Sequence, residues 1–394
     1  MKTKLVLFII LLSVIGCTST EKKGVQPDEN TIVIDINSAL KNDWWNLADM
    51  VESVEIIPLE TTEASLVADA LYCFVTDKYI FVEDFYESNL GLTMFDRNGK
   101  FVKRFNRGNG PGEFSNLQKV MFYGGSMYCA SLSKIIKYND EGEFVDYKES
   151  DGNYTDIAKF GDGFVMTQSE QIQNQEHQFK IFKLDSNLGK VAECSLDPVP
   201  IRLNGGLSVI DGSDCLIYRF YDNNICCCCD DGFRVKYRLN FSDYEYKIPL
   251  DKYQNLYQSA DSFSQAVIAI MQDIEKDKYI FGGLLMQCED YIIFSLWTKN
   301  GTSISAYYNK NTGKTWIKDF SPGDTPFSVM GNVRPANVTN QKNTFCGIIT
   351  PDYMKDCWTN NPNNLLSAKD IEILKNAKPD DNPIIVIYKL KDNL

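Results

Sequence analysis

The chain has 394 residues, and its 53 acidic side chains outnumber the 40 basic ones to give a formal net charge of −13. A surface of that sign repels phosphate backbones, which argues against nucleic acid as a partner. The 21 tyrosines and 23 phenylalanines, with little helical periodicity, favour an all-β fold. Despite 12 cysteines, a chain of this length does not need a disulfide scaffold.

The first 16 residues have the pattern of a secretory signal. Two lysines precede an apolar run over residues 5–15, and Gly16 leads into Cys17. This pattern is typical of a lipoprotein signal, so we predict cleavage before Cys17 and its acylation. No Asp follows Cys17, which favours the outer membrane of a Gram-negative cell, while the periplasmic or surface face stays open. The alternative is an ordinary signal with a coincidental cysteine. Residues 17–30 are polar, which predicts a flexible tether.

A hairpin signature recurs along residues 31–394, which we interpret as one domain. Aromatic-rich strands end in Asp or Asn followed by Gly, as hairpin turns with a left-handed position require. The turn glycines are Gly99, Gly142, Gly189, Gly232 and Gly313. The first four are separated by roughly 40–50 residues, the length of a four-stranded propeller blade. The longer last interval is explained by a helical insertion near 258–276, with apolar residues at helical spacing from Phe263 to Ile274.

The two ends of the domain predict how the ring closes. The C-terminal part reads as a strand at 344–350, a short helix near 367–376 and a final strand at 383–390. The chain start supplies unpaired strands at 31–36 and 53–59. Pairing both ends in one blade would close the ring and remove open sheet edges. We therefore predict an all-β, six-bladed β-propeller whose N- and C-terminal strands close one blade, with seven blades as the alternative.

The sequence resembles known families in two ways. Residues 79–114 resemble an NHL-type repeat, with Val82-Glu83-Asp84, Phe95-Asp96 and a Gly-Pro-Gly-Glu-Phe segment. The whole chain resembles the six-bladed β-propeller lipoproteins of Gram-negative gut anaerobes, through its lipobox, Ile56-Ile57-Pro58-Leu59-Glu60-Thr61, the helical insertion and Asp381-Asn382-Pro383. The resemblance implies a propeller on a lipid anchor and no particular activity. The chain departs from the family pattern at Cys226–Cys229.

Four consecutive cysteines, Cys226, Cys227, Cys228 and Cys229, are the most unusual local feature. In a strand, alternate members face opposite sides and same-face neighbours are roughly 6.5–7 Å apart. A tetrahedral zinc site needs closer sulfurs and further ligands, and no second CxxC motif supplies them. We interpret the run as a buried strand with inert thiols, with zinc or another soft metal as the alternative.

The glycine-rich segment from Arg107 to Glu113 lacks the strand-to-helix context and the lysine of a phosphate loop. Its glycines and proline are needed simply to turn between blades. If this face binds a ligand, Arg107 and Glu113 are the polar groups best placed to line the site. Asp84 is a further candidate for an inward-facing acid, although Asp at a strand end is usually a cap.

The catalytic residues stay unknown from the sequence. His177 is the only histidine, which argues against His-based zinc chemistry, and no Gly-x-Ser-x-Gly elbow is present. Residues 309–316 resemble a degenerate Asp-box, which stabilises a turn. What remains for an enzyme is a calcium-dependent hydrolase or lactonase that uses acids in the central channel.

We therefore predict a non-enzymatic binding or scaffolding propeller, held to a membrane through Cys17 and without a cofactor. Carbohydrate, peptide and envelope protein are the partners left open, and calcium enters only under the enzyme alternative. A third interpretation is a component of an envelope assembly, with an exposed apolar patch that includes Trp44 and Trp45.

Overall fold

The computed structural model describes most of the predicted propeller domain. It covers residues 25–42, 47–86, 89–172, 176–200, 205–210, 214–230, 232–253, 262–319, 334–335, 342–350 and 364–392. The predicted signal, Cys17, and Trp44 with Trp45 lie outside the described residues. Before the first blade the chain forms β1 (Gln26–Asp35), α1 (Ile36–Lys41), α2 (Leu47–Met50) and β2 (Val51–Pro58).

The first three blades are antiparallel sheets of four consecutive strands. Blade one comprises β3 (Ala70–Val75), β4 (Tyr79–Tyr86), β5 (Asn89–Asp96) and β6 (Phe101–Arg104). Blade two comprises β7 (Leu117–Tyr123), β8 (Ser126–Ser131), β9 (Lys134–Asn139) and β10 (Phe144–Glu149). Blade three comprises β11 (Asp156–Phe160), β12 (Gly163–Gln171), β13 (His177–Leu184) and β14 (Lys190–Ser195).

The last three blades repeat this plan with additions. Blade four comprises β15 (Gly205–Ile210), β16 (Asp214–Arg219), β17 (Asn224–Cys229) and β18 (Gly232–Asn240). After α3 (Leu250–Tyr253) and α4 (Ser262–Asp273), blade five comprises β19 (Ile280–Gln287), β20 (Tyr291–Trp297), β21 (Ser303–Asn309) and β22 (Thr315–Asp319). Blade six comprises β23 (Arg334–Pro335), β24 (Thr344–Ile349), β25 (Ile384–Leu390) and β2, with α5 (Ala368–Asn376) between β24 and β25.

The six-bladed arrangement is therefore confirmed, as is the helical insertion between blades four and five. Each pair of neighbouring blades shares one apolar cluster, so that the core is a ring of six interfaces. We call the face that carries the loops between the second and third strands of each blade the upper face, and the opposite one the lower face. The antiparallel order places the connections between blades on the upper face as well.

Turn chemistry explains why the repeats form. The Asp96 carboxylate accepts hydrogen bonds from the backbone N–H groups of Asn98 and Lys100 at 2.8 and 2.9 Å, and Gly99 has φ +79°. A side-chain acceptor followed by a left-handed residue closes the hairpin between the third and fourth strands. Blade three differs from our prediction, because Leu188 at φ +64° takes the left-handed position instead of Gly189. The Asp185 carboxylate still binds the backbone of this turn.

The two chain ends close the ring through β2 and β25. These strands are antiparallel, from Val51 opposite Leu390 to Pro58 opposite Ile384. Beside this seam, the buried Asn382 side chain donates to the carbonyls of Glu60 and Ser65 at 2.7 and 2.9 Å. The predicted closure by the strand at 53–59 is thus confirmed, and an amide fastens the connection into blade one.

The earlier N-terminal strand has another partner. We expected residues 31–36 to join the closing blade, but β1 adds a fifth, parallel strand to β18 of blade four. β1 starts at Gln26, opposite Arg234, so the predicted tether through residue 30 is too long. The outer edge of blade four was the open edge that these residues could pair with, and Ile34 is fully buried between blades four and five.

Candidate functional site

The central channel does not assemble an acidic site among the described residues. The first strand of each blade lies nearest the axis, and these six strands contribute one carboxylate, Asp156. Asp156 forms an ion pair with Lys119 at 2.9 Å and accepts from the backbone N–H of Leu207 at 2.9 Å. It therefore ties blades two, three and four together. In the described ranges, no three His, Cys, Asp or Glu side chains are grouped to hold a metal ion. The calcium-dependent alternative thus has no support here.

Asp84 lies near the upper face, between blades one and six. Its side chain is buried, and neither carboxylate oxygen accepts a hydrogen bond of good geometry. Burial raises the pKa of Asp84, while the nearby Arg104 and Arg107 guanidinium groups act in the opposite direction. Gly91 stands opposite Asp84 on β5, and a Cβ there would lie 2.6 Å from Asp84 Oδ1 and 2.8 Å from Arg107 Nη2. Glycine thus lets Asp84 and Arg107 approach the same point.

Glu113, the third predicted site residue, is turned into its own loop. Its Oε2 accepts from the backbone N–H of Gly110 at 3.0 Å. Blade two fastens the same loop, because Tyr138 OH donates to the carbonyl of Gly112 at 3.1 Å. The structure therefore brings Arg107 and Asp84 together, and places Glu113 in the structural role that the glycine-rich sequence favoured.

A separate cavity of about 440 Å³ opens at the upper end of blade four. We call it the blade-four pocket. It is enclosed by four segments that are far apart in sequence: the exit from blade three (197–199), the β16–β17 region (219–224), the start of the insertion (245–250) and the first residues of β19 (279–281). Loops that converge on one end of a rigid scaffold are common ligand sites.

Arg219 organises the polar side of the blade-four pocket. It is 8% exposed, its Nη2 forms a 2.9 Å ion pair with Asp222, and its Nη1 donates to the carbonyl of Asp197 at 2.8 Å. Arg219 Nε is buried without a hydrogen-bond partner. Next to it, Asn223 Nδ2 donates to Glu245 Oε1 at 2.8 Å. These bonds hold the polar groups in fixed orientations before any ligand arrives.

The aromatic side of the pocket is equally constrained. Tyr221 has φ +65°, a strained left-handed conformation for a residue with a side chain, and its N–H donates to the carbonyl of Phe281 at 3.2 Å. The neighbouring Phe220 ring stacks on Trp297 with ring centres 6.1 Å apart. Gly283, at φ +79°, has no room for a side chain, because a Cβ would lie 2.0 Å from the Phe220 ring. The wall is therefore rigid.

The helical insertion covers this end of blade four. Tyr253, Ile270 and Ile274 form its own small core, against which Tyr221 and Trp297 pack. Tyr253 OH donates to Asp273 Oδ2 at 2.5 Å, which joins α3 to α4. The predicted helical insertion thus gains a specific location, next to the pocket wall.

Sequence reasoning did not identify this pocket. Its lining has no motif, but the segment Tyr218-Arg219-Phe220-Tyr221-Asp222-Asn223-Asn224 places aromatic and amide side chains between two apolar strands. So many aromatic and amide side chains in a predicted loop are the sequence feature that could have indicated a binding site. His177, the only histidine of the sequence, is the first residue of β13, and its N–H donates to the carbonyl of Val199 at 2.7 Å.

The cysteine run forms β17, the buried strand that alternation predicts. Cys226 and Cys228 pack toward blade three and Cys227 toward blade five. Burial raises the pKa values of the Cys227 and Cys228 thiols to about 12, so both are protonated near neutral pH. Within the ranges that the structure covers, no helix combines the length and apolar character needed to cross a membrane.

Comparisons with known proteins agree with this fold. A family model with the description "Domain of unknown function (DUF4934)" matches residues 31–389, and none of the curated proteins matches the sequence. A solved protein of Bacteroides fragilis NCTC 9343, named "Putative exported protein", is 15% identical with a TM-score of 0.61, covering 91% of this chain and 99% of that one. A DUF4221 member from Bacteroides vulgatus ATCC 8482 is 10% identical with a TM-score of 0.46, covering 86% and 97%. At 15% identity, the likeness to the Bacteroides fragilis protein concerns the fold and not an activity.

Proposed function

We propose that this chain, which belongs to the DUF4934 family, is a non-enzymatic binding propeller that holds its ligand in the blade-four pocket. The observation that carries the proposal is the convergence of a rigid aromatic wall and prearranged polar groups at the loop-bearing end of one blade. Fixed side chains lose little conformational freedom when a ligand binds, which favours affinity. No described side chains around the pocket pair a nucleophile with a histidine base.

The lining favours a polar ligand that contains both flat apolar surface and hydrogen-bonding groups. Tyr221, Tyr246 and Tyr279 offer ring faces and hydroxyl groups. Acidic and basic side chains occur together, since Arg219 is paired with Asp222 and Glu245 accepts a hydrogen bond from the adjacent Asn223. A carbohydrate or a segment of peptide meets this description, whereas a simple anion would use only part of the lining.

The proposal includes membrane attachment through Cys17 and an NHL-like ancestry of the blades. The course of β1 supports the attachment geometry. β1 runs parallel to β18, so Gln26 lies at the end of blade four opposite the pocket. Eight residues, 18–25, separate Cys17 from β1, and an extended chain of that length spans at most about 29 Å. The pocket would then face away from the membrane.

Thermal unfolding of the chain from residue 18 onward tests ligand binding. The probes are defined oligosaccharides and peptides, each at about a hundredfold its dissociation constant, where binding stabilises the folded state by about 2.7 kcal/mol. The shift should be lost in Tyr246→Ala and weakened in Glu245→Gln, and it should persist in the control Glu193→Gln on β14.

Three outcomes would count against the proposal. A shift that survives both pocket variants places the ligand elsewhere on the propeller. A midpoint that falls with EDTA and recovers with calcium favours the metal-dependent enzyme. No shift with any probe favours the assembly component. Membrane attachment is tested separately by fractionating cells that express the full chain, where Cys17→Ser should move the protein from the membrane to the soluble fraction.

A further inference from the structure

A second, smaller cavity of about 180 Å³ lies between blades two and three, beside the β11–β12 and β13–β14 turns of the lower face. We call it the lysine pocket, because Lys137, Lys148 and Lys159 line it. Lys137 is opposite Tyr128 in the β8–β9 ladder, and Lys159 is opposite Phe164 in the β11–β12 ladder. Each of the two blades thus contributes a lysine beside an aromatic residue.

Aromatic rings form the apolar side of the lysine pocket. Tyr128 and Phe164 meet edge to face across the two blades, with ring centres 6.1 Å apart. The buried Ile135 side chain adds apolar surface from blade two. An apolar cavity of about 150 Å³ holds one benzene molecule. The lysine pocket, at about 180 Å³, therefore has room for one six-membered ring with a small substituent.

The lysine nearest the propeller axis is buried and held in place by the protein. Lys159 is 7% exposed, and its Nζ donates to the carbonyls of Gly161 and Gly163 at 2.7 and 3.0 Å. An ammonium group has three donors, so two carbonyls leave one for a ligand. Burial lowers the pKa of Lys159, the Asp162 charge opposes this shift, and the Lys137 charge adds to it. A bound anion would offset both the lost hydration and the repulsion from Lys137.

The positive charges of the lysine pocket have no carboxylate partners. Among the residues that the structure describes, none of the three lysines forms an ion pair. Lys148 Nζ donates instead to Asn187 Oδ1 at 3.3 Å, and Lys137 Nζ lies over an aromatic ring. Asp146 and Asp162 also line the cavity, but both are exposed to water. Since buried charges are normally paired, three converging lysines in a chain of net charge −13 indicate a place for an anion.

We propose that the lysine pocket is a binding site for a small carboxylate carried on a single aromatic ring. The ring packs against Tyr128 and Phe164, and the carboxylate accepts hydrogen bonds from Lys159 and Lys137. Hydrogen bonds between charged groups are shorter and stronger than neutral ones, and aromatic rings pack well edge to face. The two cavities have no lining residue in common, so this inference is independent of the blade-four pocket.

The test is an NMR titration of the chain without its predicted signal (residues 17–394 with Cys17→Ser). Benzoate is the probe, added up to about 10 mM because so small a ligand has limited affinity. Benzamide has the same shape without the charge, and acetate has the charge without the ring. Benzoate should bind, and both other compounds should bind at least about tenfold more weakly.

Two variants remove one charge each and keep the length of the side chain. Lys159→Met and Lys137→Met should each weaken benzoate binding by at least about tenfold. Lys137 donates no hydrogen bond within the described ranges, so Lys137→Met decides the question if Lys159→Met fails to fold. The matched control is Lys183→Met, which should bind benzoate normally. Lys183 lies at the same end of blade three, but its Nζ donates to the carbonyl of Cys229 in blade four at 3.2 Å.

Several results would overturn the proposal. Equal binding of benzoate and benzamide would show that the lysines do not select a charge. Equal binding of benzoate and acetate would show that the aromatic rings are not used. Benzoate binding that is unchanged in Lys137→Met, or lost in Tyr246→Ala, would place the probe outside the lysine pocket. No binding of benzoate would mean that these lysines serve only to fasten the turns of the two blades.

Discussion

Blades one and four lie opposite each other in the ring and differ in what surrounds their shared plan. Blade one is held by hydrogen bonds on both sides. The Asn382 side chain donates to the connection that precedes the blade, and in the glycine-rich loop that follows it, Glu113 accepts from the backbone. Blade four carries the additions, namely a fifth strand, the helical insertion and the pocket. Blade five lies between these additions and the seam of β2 with β25 in blade six.

These two blades show how a closed ring of blades accommodates added structure. A propeller depends on one junction where the chain ends meet, and side chains there must satisfy buried backbone groups. Elsewhere each blade contacts only its two neighbours, so loops and edges can be extended at local cost. Blade four shares no strand with the seam in blade six, so its loops and outer edge are free to carry a ligand site.

The largest effect should come from removing the Asn382 hydrogen bonds beside blade one. Asn382→Ala leaves the carbonyls of Glu60 and Ser65 and the N–H of Val67 without their amide partner. Buried groups that lose their partners cost about 1–3 kcal/mol each, so we expect a loss of about 4 kcal/mol in the free energy of unfolding. Chemical denaturation measures it. The control Asn98→Ala, at an exposed position, should change the free energy of unfolding by less than about 0.5 kcal/mol. An equally small loss in Asn382→Ala would show that the Asn382 hydrogen bonds are dispensable.

The next effect concerns the strand added to blade four. Ile34 on β1 is fully buried, whereas its neighbour Val33 is 56% exposed. Ile34→Ala should lower the free energy of unfolding by about 3 kcal/mol, because it leaves a cavity between blades four and five. Val33→Ala should be nearly neutral. If both are neutral, β1 is a loosely held arm and the fourth blade is complete without it.

The packing behind the pocket, between Gly283 and Phe220, gives a somewhat smaller effect. Gly283→Ala adds a methyl group 2.0 Å from the Phe220 ring at a left-handed position, and we expect a loss of about 2–3 kcal/mol with weaker ligand binding. Gly313→Ala is the matched control, since it has φ +70° and nothing within 4 Å of the added Cβ. It should cost about 1 kcal/mol from backbone conformation alone. Equal losses of stability in the two variants would mean that the Phe220 ring moves aside easily.

The smallest effects are expected for Asp84→Asn and Asp35→Ala, which should change the melting temperature in opposite directions. Burial raises the pKa of Asp84, so its proton is held more tightly in the folded state and stability falls as pH rises through the folded pKa. Asp84→Asn should therefore raise the melting temperature at neutral pH. Hydrogen bonds from Ser38 lower the pKa of Asp35, whose contribution is present at neutral pH and lost in acid. Asp35→Ala should lower the melting temperature, by the equivalent of about 1 kcal/mol.

Melting curves recorded from neutral to acidic pH measure both differences. Each should shrink toward zero as the carboxyl groups become protonated in folded and unfolded chains alike. A lower melting temperature for Asp84→Asn at neutral pH would show that the attraction of the Arg104 and Arg107 charges outweighs the burial of the Asp84 carboxylate.

Much of the fold was accessible from sequence because its signals are local. Asp96 and Gly99 close a hairpin with atoms that lie within four residues of each other, and the same chemistry recurs in the other blades. Ser367 and Asp370 cap α5 in the same local way. The candidate site was less accessible: Arg107 and Asp84 were singled out, but Glu113 binds its own loop, and the blade-four pocket carries no motif.

The period, the turns, the six blades and the closure through residues 53–59 follow from the amino-acid sequence, because each depends on neighbouring residues or on chain length. The partner of β1 is settled in the folded chain, since an edge strand pairs with whichever open edge lies within reach. The same holds for the pocket, whose walls come from segments between 197 and 281, and for the contact of Cys227 with Cys229, which depends on side-chain rotamers. Long-range proximity is a property of the folded chain, and no local pattern encodes it.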